Sequence, residues 1–201
     1  MPDIGKVVIV DTGTANLLSL YNALKRLGAD PVVSRDEKTL KSASRLFLPG
    51  VGTAGAVMQM IRERGLGPLL EGAAQPILGI CLGMQALCAS SEESGGVKML
   101  GLIPAEVKKL SARGLPLPHM GWNQTVYSEG EPLFKGIPQG AYFYYVHSFG
   151  APVGASTVAQ SLYGEPFSAA LRKDNFSGVQ FHPEKSGRMG AKLLENFLEL
   201  K

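Results

Sequence analysis

The stretch ILGICLGMQALC, residues 77–88, changes from an apolar strand pattern to a helical pattern at Cys81. The Gly-x-Cys-x-Gly pattern around it is typical of a sharp strand-to-helix turn that presents a nucleophile, and the glycines make room for such a turn. At a helix start, unpaired N–H groups and the helix dipole favour the thiolate, which is the form that attacks carbonyl carbons. We therefore predict that Cys81 is a nucleophile, with a glycine-flanked core cysteine as the alternative. Cys88 lies within the apolar run and is predicted to be structural.

The residues before this turn alternate between short strand patterns and helical patterns. Strands are predicted over 6–10, 31–34, 45–48 and 76–80, and helices over 16–27 and 54–64. This alternation is typical of a parallel sheet with helices on both faces. Ligands of such sheets bind beyond the carboxyl ends of the strands, which is where Cys81 is expected to lie.

The second half of the chain shows strand patterns separated by turns, followed by a final helix. The predicted strands cover 106–110, 141–146, 157–161, 167–171 and 177–181, and the amphipathic helix covers 187–200. Some of these strands are expected to be antiparallel because turns rather than helices connect them. We predict an α/β fold: a flavodoxin-like three-layer sandwich with a mainly parallel central sheet, helices on both faces and some antiparallel strands in the C-terminal half. Residues 1–201 are expected to form one domain.

Composition limits the classes of protein to which the chain can belong. The 201 residues are 45% hydrophobic and 18% charged, and basic residues are scattered at a net charge of +3, so no nucleic-acid-binding surface is expected. Cys81 and Cys88 would lie about two helical turns apart in a continuous helix, which is too far for a disulfide and unsuitable for a zinc pair. No apolar stretch has the length of a signal peptide or a membrane span. We expect a cytoplasmic protein that does not bind membranes.

A cysteine nucleophile generally needs a base, and a third group holds that base in place. The chain has three histidines, His119, His147 and His182. His182 ends a predicted strand and is followed two residues later by Glu184. Side chains at i and i+2 of an extended segment point the same way, so the Glu184 carboxylate is expected to reach the far nitrogen of the imidazole. We predict a catalytic triad of Cys81, His182 and Glu184.

An attacked carbonyl also needs hydrogen-bond donors where its oxygen becomes negative. One candidate donor is the backbone N–H of Leu82, immediately after the nucleophile. The other candidates are the N–H groups of Val51 and Gly52, in the glycine-rich turn LPGVG at 48–52. We predict that these three residues form an oxyanion hole, with an ordinary strand-to-helix turn as the alternative for 48–52.

Three motifs together resemble those of the class I glutamine amidotransferases, and the resemblance covers essentially the whole chain. They are LPGVG at 48–52, GICLGMQ at 79–85 and GVQFHPEKS at 178–186. The resemblance implies hydrolysis of glutamine to glutamate and ammonia through a glutamyl thioester, without a cofactor or a metal. The residues that it implies for substrate binding are Gly50, Gln85, His147, Ser148 and Phe149.

Two further motifs, HMGWN at 119–123 and YVHS at 145–148, are similar to those of family members that supply ammonia in histidine biosynthesis. That similarity implies a heterodimer with a (β/α)8-barrel cyclase, which receives the ammonia directly. Candidate interface residues are Asn16, Trp122 and Lys185. Trp122 is the candidate anchor, because aromatic side chains often anchor interfaces, and Lys185 is a candidate charged contact. The alternatives are a helix N-cap for Asn16, a core position for Trp122 and a solvated side chain for Lys185.

Other functions remain open at the level of the sequence. One is the glutaminase subunit of another synthase, for example of anthranilate or pyridoxal phosphate. A second is a redox-sensing module in which Cys81 is oxidised rather than acylated. A third is a cysteine peptidase with a peptide groove. A sensor has no need of His182 and Glu184, so their presence favours hydrolysis.

Overall fold

The computed structural model describes residues 4–13 and 17–200. The strands are β1 (Val7–Val10), β2 (Val32–Ser34), β3 (Arg45–Gly50), β4 (Ile77–Cys81), β5 (Cys88–Ser91), β6 (Val97–Lys98), β7 (Ile103–Lys109), β8 (His119–Tyr127), β9 (Ala141–His147), β10 (Phe149–Gly150), β11 (Thr157–Tyr163), β12 (Glu165–Lys173) and β13 (Phe176–Val179). The α-helices are α1 (Leu17–Arg26), α2 (Glu37–Lys41), α3 (Ala54–Glu63), α4 (Leu66–Glu71), α5 (Leu82–Leu87) and α6 (Gly187–Glu199).

A nine-stranded sheet with the order β2-β1-β3-β4-β13-β12-β11-β8-β9 forms the centre of the molecule. In this spatial order, the first five strands (β2, β1, β3, β4 and β13) pair in parallel. The remaining pairings, β13 with β12, β12 with β11, β11 with β8 and β8 with β9, are antiparallel. The predicted α/β fold class is therefore confirmed, with an antiparallel half that is larger than the sequence indicated. β4 lies between β3 and β13, so the carboxyl ends of these three strands meet around Cys81.

The two faces of the sheet bury separate clusters of apolar side chains. In β1, Val7 and Ile9 pack toward α1 and α6, while Val8 and Val10 pack toward the side of α2 to α5. This division follows from the period of two in a strand, which points successive side chains to opposite faces. Helices thus cover both faces, as predicted. No helix within 4–13 or 17–200 combines the length and the hydropathy that crossing a bilayer requires.

The structure differs from the sequence prediction in two segments. Residues 88–91 do not continue the helix: α5 ends at Leu87, and Cys88 begins β5 in a second, four-stranded sheet with the order β10-β7-β5-β6. The HMGWN segment, over which no strand was predicted, forms the start of β8 and pairs along its length with β9. Both segments gain their strand character from pairing with distant residues, which local patterns do not encode.

Glycines allow α5 to pack directly against the central sheet. A Cβ added to Gly83 would lie 1.7 Å from the carbonyl oxygen of Leu48, and one added to Gly178 would lie 2.3 Å from the Met84 side chain. A Cβ added to Gly79 would lie 2.7 Å from the carbonyl oxygen of Gly83 in the same helix. These glycines therefore allow close approach between backbone segments, and Gly79 and Gly83 make the room at the turn that the sequence predicted. The result is a fixed position for the N-terminus of α5, directly after Cys81.

Candidate active site

Cys81 sits at a sharp elbow between β4 and α5. Its backbone has φ +55° and ψ −114°, a conformation that residues with a Cβ rarely adopt. Such strain persists only where the surroundings impose it, and it is concentrated at functional sites. Here the imposing contacts are the parallel ladders on both sides of β4 and the tight packing of α5. The elbow presents the Cys81 side chain at the carboxyl edge of the sheet. Cys81 is largely buried, with 8% of its surface exposed.

His182 and Glu184 lie beside this sulfur. The His182 backbone N–H donates to the Tyr144 carbonyl at 2.9 Å, and its ring Nδ1 lies 2.8 Å from Glu184 Oε1. The sequence predicted that the two side chains meet along an extended segment. Residues 183–185 instead form a single 3-10 turn, and the two side chains meet across it. Ser186 fixes this turn because its hydroxyl donates to the His182 carbonyl and accepts from the Tyr144 N–H.

The His182 imidazole has an electrostatic environment that favours its protonated form. Burial alone would lower the pKa of His182, but hydrogen bonds to Cys81 and Glu184, together with their negative charges, raise the pKa to about 10. The surroundings of His182 therefore favour the imidazolium form of its ring. The ring is thus placed next to the sulfur as a potential proton donor.

The turn after β3 lies next to the elbow. Gly50 is the register partner of Cys81, and a Cβ added to it would lie 2.9 Å from the Gly83 backbone nitrogen. Gly52 has φ +99°, with no atom within 4 Å of an added Cβ, and Val51 is exposed. The end of β3 and the start of α5 are thus adjacent, which is the placement that two converging N–H donors require.

Glu93 supports this turn, although sequence reasoning did not single it out. Its carboxylate oxygen Oε2 accepts from the N–H of Ala54, the first residue of α3, at 2.6 Å. Thr53 also caps the helix, because its hydroxyl accepts from the Ala56 N–H. A carboxylate at a helix N-terminus is favourable, but this one comes from about 40 residues away in the chain, a distance at which no local pattern reveals the contact.

A small cavity of about 30 Å³ lies between the turn after β3 and the His182 segment. Val51, Glu184 and Lys185 are among the residues that line it. Glu184 Oε2 is buried and has no hydrogen-bond partner among the described residues. The cavity therefore connects the surroundings of His182 with the exposed side chain of Lys185.

The residues implied for substrate binding lie close to the sulfur, which is 3.9 Å from the carbonyl oxygen of Val146, directly before His147. Gln85 is buried in α5, and its amide nitrogen donates to the Phe149 carbonyl at 2.9 Å. The same carbonyl is 2.9 Å from His147 Nδ1, and the Ser148 carbonyl accepts from the Leu110 N–H. The structure thus brings Gln85 and the segment 147–149 together near Cys81.

His119 and His147 form a buried hydrogen-bonded pair. His119 Nδ1 lies 2.9 Å from His147 Nε2, and the amide nitrogen of Asn123 lies 3.2 Å from the remaining nitrogen of His119. One set of tautomers satisfies every contact: Asn123 donates to His119, which donates to His147, which donates to the Phe149 carbonyl. Burial lowers the pKa of His147 to about 3 and that of His119 to about 4, so both rings are neutral in the folded protein.

This pair predicts that the free energy of unfolding falls as the pH is lowered from 6.5 toward 4. The unfolded chain protonates His119 and His147 near pH 6.5, whereas the folded chain binds these protons only near pH 3 to 4, so acid favours unfolding. Each histidine adds a slope of up to about 1.4 kcal/mol per pH unit. Urea unfolding at pH 7, 6 and 5 measures the slope. His119→Gln removes one titrating group and should reduce it; an unchanged slope contradicts the prediction.

The candidate interface residues have different outcomes in the structure. Trp122 on β8 is 55% exposed, which excludes the core position considered as its alternative. Met120 and Tyr142 are similarly exposed and lie on the same two paired strands, and Lys185 is exposed near the triad. Asn16 lies outside the described residues. Within 4–13 and 17–200, no group of three or more His, Cys, Asp or Glu side chains is placed to hold a metal ion.

Comparisons with known proteins identify the family of the chain. The family model described as glutamine amidotransferase class-I matches residues 8–200. An imidazole glycerol phosphate synthase subunit HisH from Yersinia pseudotuberculosis serotype I (strain IP32953) is 58% identical over 194 residues, which cover 96% of this chain and 99% of that protein. A protein of the same description from Escherichia coli (strain K12) is 59% identical over 194 residues, with the same coverage of both chains.

Solved structures show the same fold at low sequence identity. A crystal structure of a glutamine amidotransferase superposes with a TM-score of 0.75 at 19% identity, covering 97% of this chain and 98% of that one. The structure of PurLQS from Thermotoga maritima gives a TM-score of 0.72 at 18% identity, covering 96% and 97%. The arrangement of strands and helices described above is therefore shared with these proteins.

Proposed function

Because the chain belongs to the class I glutamine amidotransferases, a family of enzymes, we propose that it is the glutaminase subunit of an imidazole glycerol phosphate synthase. It hydrolyses glutamine to glutamate and ammonia in histidine biosynthesis. The ammonia passes to a (β/α)8-barrel cyclase, which makes imidazole glycerol phosphate and an aminoimidazole carboxamide ribotide. The observation that carries the hydrolytic part is the placement of His182 next to Cys81, which lies at a strained elbow, with Glu184 hydrogen-bonded to the His182 ring. The family match over residues 8–200 supports one amidotransferase domain over 1–201.

The proposed mechanism begins with attack by the Cys81 sulfur on the side-chain amide carbon of glutamine. A carbon–sulfur bond forms, and the carbonyl oxygen becomes negative. The carbon–nitrogen bond then breaks, and His182 gives its proton to the leaving nitrogen, which departs as ammonia. Neutral His182 next takes a proton from water as the water attacks the thioester, and the sulfur leaves as a thiolate. Glu184 holds the ring and stabilises its charged form.

Backbone donors at two adjacent strand ends are proposed to hold the oxyanion. The Leu82 N–H belongs to the first turn of α5, whose N–H groups lack partners within the helix. The N–H groups of Val51 and Gly52 come from the turn beside Cys81. Each such donor typically contributes a factor of about 10² to 10³ in kcat.

Substrate binding is proposed for Gly50, Gln85 and the segment 147–149. Gly50 keeps the site open because it has no side chain next to the elbow. Gln85 and His147 both bond to the Phe149 carbonyl, so they fix the shape of the segment that meets the amino acid part of glutamine. This proposal predicts that the segment moves little when glutamine binds.

The exposed apolar side chains on β8 and β9 support a partner surface. Met120, Trp122 and Tyr142 are each more than half exposed, and such a group on one sheet face is typical of a protein interface. Lys185 is proposed to contribute a charged contact.

Ammonia that escapes into neutral water becomes ammonium and stops acting as a nucleophile, which is why direct delivery to a partner is needed. The same function places the protein in the cytoplasm, a reducing compartment that suits two free cysteines.

We expect the barrel cyclase to increase the rate of glutamine hydrolysis by about 10- to 100-fold. This increase lies within the effect of typical coupling free energies between two sites, about 1–3 kcal/mol. The physical reason is the open turn at Val51 and Gly52, which a docked partner is in a position to orient toward the oxyanion. Glutamate release by the chain alone and with a saturating cyclase measures the effect. Equal rates would disprove it.

The matched control for this experiment is Trp122→Ala. Trp122 lies outside the proposed catalytic machinery, so the basal rate of the isolated variant should equal that of the natural chain. The concentration of cyclase needed for half-maximal stimulation should increase. Mixing the chain with acceptor subunits of anthranilate or pyridoxal phosphate synthases tests the alternative synthases, and stimulation by one of those in place of the cyclase would reassign the partner.

A further inference from the structure

Gln180 is a buried polar residue next to Cys81 that the proposed mechanism does not use. Val179, the last residue of β13, is the register partner of Ile80 in β4, so the next residue along, Gln180, lies beside Cys81. Its side chain is fully buried, and its backbone N–H donates to the Ala169 carbonyl at 2.8 Å. The amide nitrogen Nε2 lies 3.7 Å from the Cys81 sulfur. A buried amide at this distance from a reactive sulfur requires an explanation.

The surrounding contacts fix which end of the Gln180 amide faces the sulfur. Gln85 places its amide nitrogen 2.9 Å from the Phe149 carbonyl, and a carbonyl oxygen can only accept. The second hydrogen of that nitrogen points to Gln180 Oε1, at 3.0 Å. Rotating the Gln180 amide by half a turn would place its NH₂ group against the NH₂ group of Gln85, and neither group is able to accept a hydrogen bond. The amide nitrogen of Gln180 therefore faces Cys81 as a donor.

From this geometry we propose that Gln180 is a positioning residue that donates a hydrogen bond to the Cys81 thiolate. The bond holds the ionised sulfur from the residue directly after β13, and His182, two residues further along the same segment, contacts the sulfur as well. Its direction is set by a relay from the Phe149 carbonyl through Gln85 to Gln180. The proposal rests on the proposed nucleophilic role of Cys81.

An uncharged donor suits this position because of the titratable groups that already face the sulfur. His182 with Glu184 supplies the proton and the positive charge from the turn after β13. His147, at the end of β9, is neutral in the folded protein because burial lowers its pKa to about 3. Gln180 adds a hydrogen bond to the charged sulfur without adding another proton equilibrium, and hydrogen bonds to charged groups are stronger than those between neutral groups.

The test is the pH dependence of Cys81 alkylation by iodoacetamide in the full chain, with the adduct located by mass spectrometry. In Gln180→Met, which keeps the volume and removes the donor, the midpoint of the profile should move up by about one pH unit, as expected for losing one hydrogen bond to a charged group. In Gln180→Glu, which places a carboxylate against the thiolate, the shift should be larger. Unchanged midpoints in the variants overturn the proposal.

Asn196→Leu is the matched control for a general loss of packing. Asn196 on α6 is also a buried amide, but it donates to the carbonyls of Leu133 and Lys135, which precede β9, and not to the sulfur. This variant should lower the melting temperature and leave the alkylation midpoint in place. An equal midpoint shift in Asn196→Leu would overturn the proposal, because loosening alone would explain the Gln180 result. Glutamine hydrolysis by the natural chain is measured separately, so its absence would refute the proposed function rather than the role of Gln180.

Discussion

Cys81→Ala should abolish glutamine hydrolysis, with a loss of kcat of about 10³-fold or more, because removing the nucleophile of a covalent mechanism leaves only binding and oxyanion stabilisation. Without the sulfur there is no thioester, and His182 has no charged partner on that side. Glutamate release in the presence of the barrel cyclase measures the effect. The Cβ of alanine occupies the same elbow as the Cβ of cysteine, so the backbone geometry is expected to persist.

The control for this result is synthesis by the cyclase from added ammonia. The Cys81→Ala complex should assemble and use ammonia as well as the natural complex does, since the sulfur is largely buried and the proposed interface is formed by other residues. Cys88→Ala provides a second control. Burial raises the pKa of the Cys88 thiol to about 12, so it is an inert core group, and its loss should leave hydrolysis intact. Continued consumption of glutamine by Cys81→Ala would show that the triad assignment is wrong.

Gly83→Ala should strongly destabilise the fold and reduce the yield of soluble protein. The added Cβ would lie 1.7 Å from the Leu48 carbonyl oxygen, and neither α5 nor the central strand β3 is able to move away without breaking other contacts. Overpacking of this kind commonly costs about 1–3 kcal/mol and more where backbone atoms clash, against a total stability of about 5–15 kcal/mol. Soluble yield and thermal unfolding followed by circular dichroism measure the effect.

Gly55→Ala is the matched control, because Gly55 is also a helical glycine. An added Cβ there meets only the Ser94 side chain, at an ordinary contact distance of 3.5 Å. Alanine is better than glycine inside a helix by about 1 kcal/mol, so this variant should melt at the same temperature or higher. If both variants had the same melting temperature, the clash at Gly83 would not control the stability of the fold.

The sequence predicted the parts of the structure that depend on local patterns. The parallel strands β1 to β4 and the helices α1, α3 and α6 all appear within a few residues of their expected bounds, because each has a clear period of apolar residues. Cys81, His182 and Glu184 follow from short motifs at strand ends, and the structure brings them together. Their catalytic roles remain predictions that the variants above will test.

The features that the sequence did not predict depend on contacts between distant residues. Gln180 carried a signal, since a polar side chain inside the apolar run GVQFHP must be satisfied if that strand is buried. Its partners Gln85 and Cys81 lie almost a hundred residues earlier, so their identity was inaccessible without the fold. β8 also had a usable signal: Met120 and Trp122 alternate with more buried residues, although Gly121 disguised the strand.

The pairing of β13 between β4 and β12 has a consequence for the chain while it is being synthesised. On the ribosome, the N-terminal strands and the cysteine emerge long before the imidazole that complements it. In the folded sheet β13 occupies the position between β4 and β12, and His182 follows β13, so the cysteine and the imidazole are neighbours only when this strand is in place. In the proposed mechanism, a nascent chain that does not yet include His182 lacks the proton donor and has no means of hydrolysing glutamine.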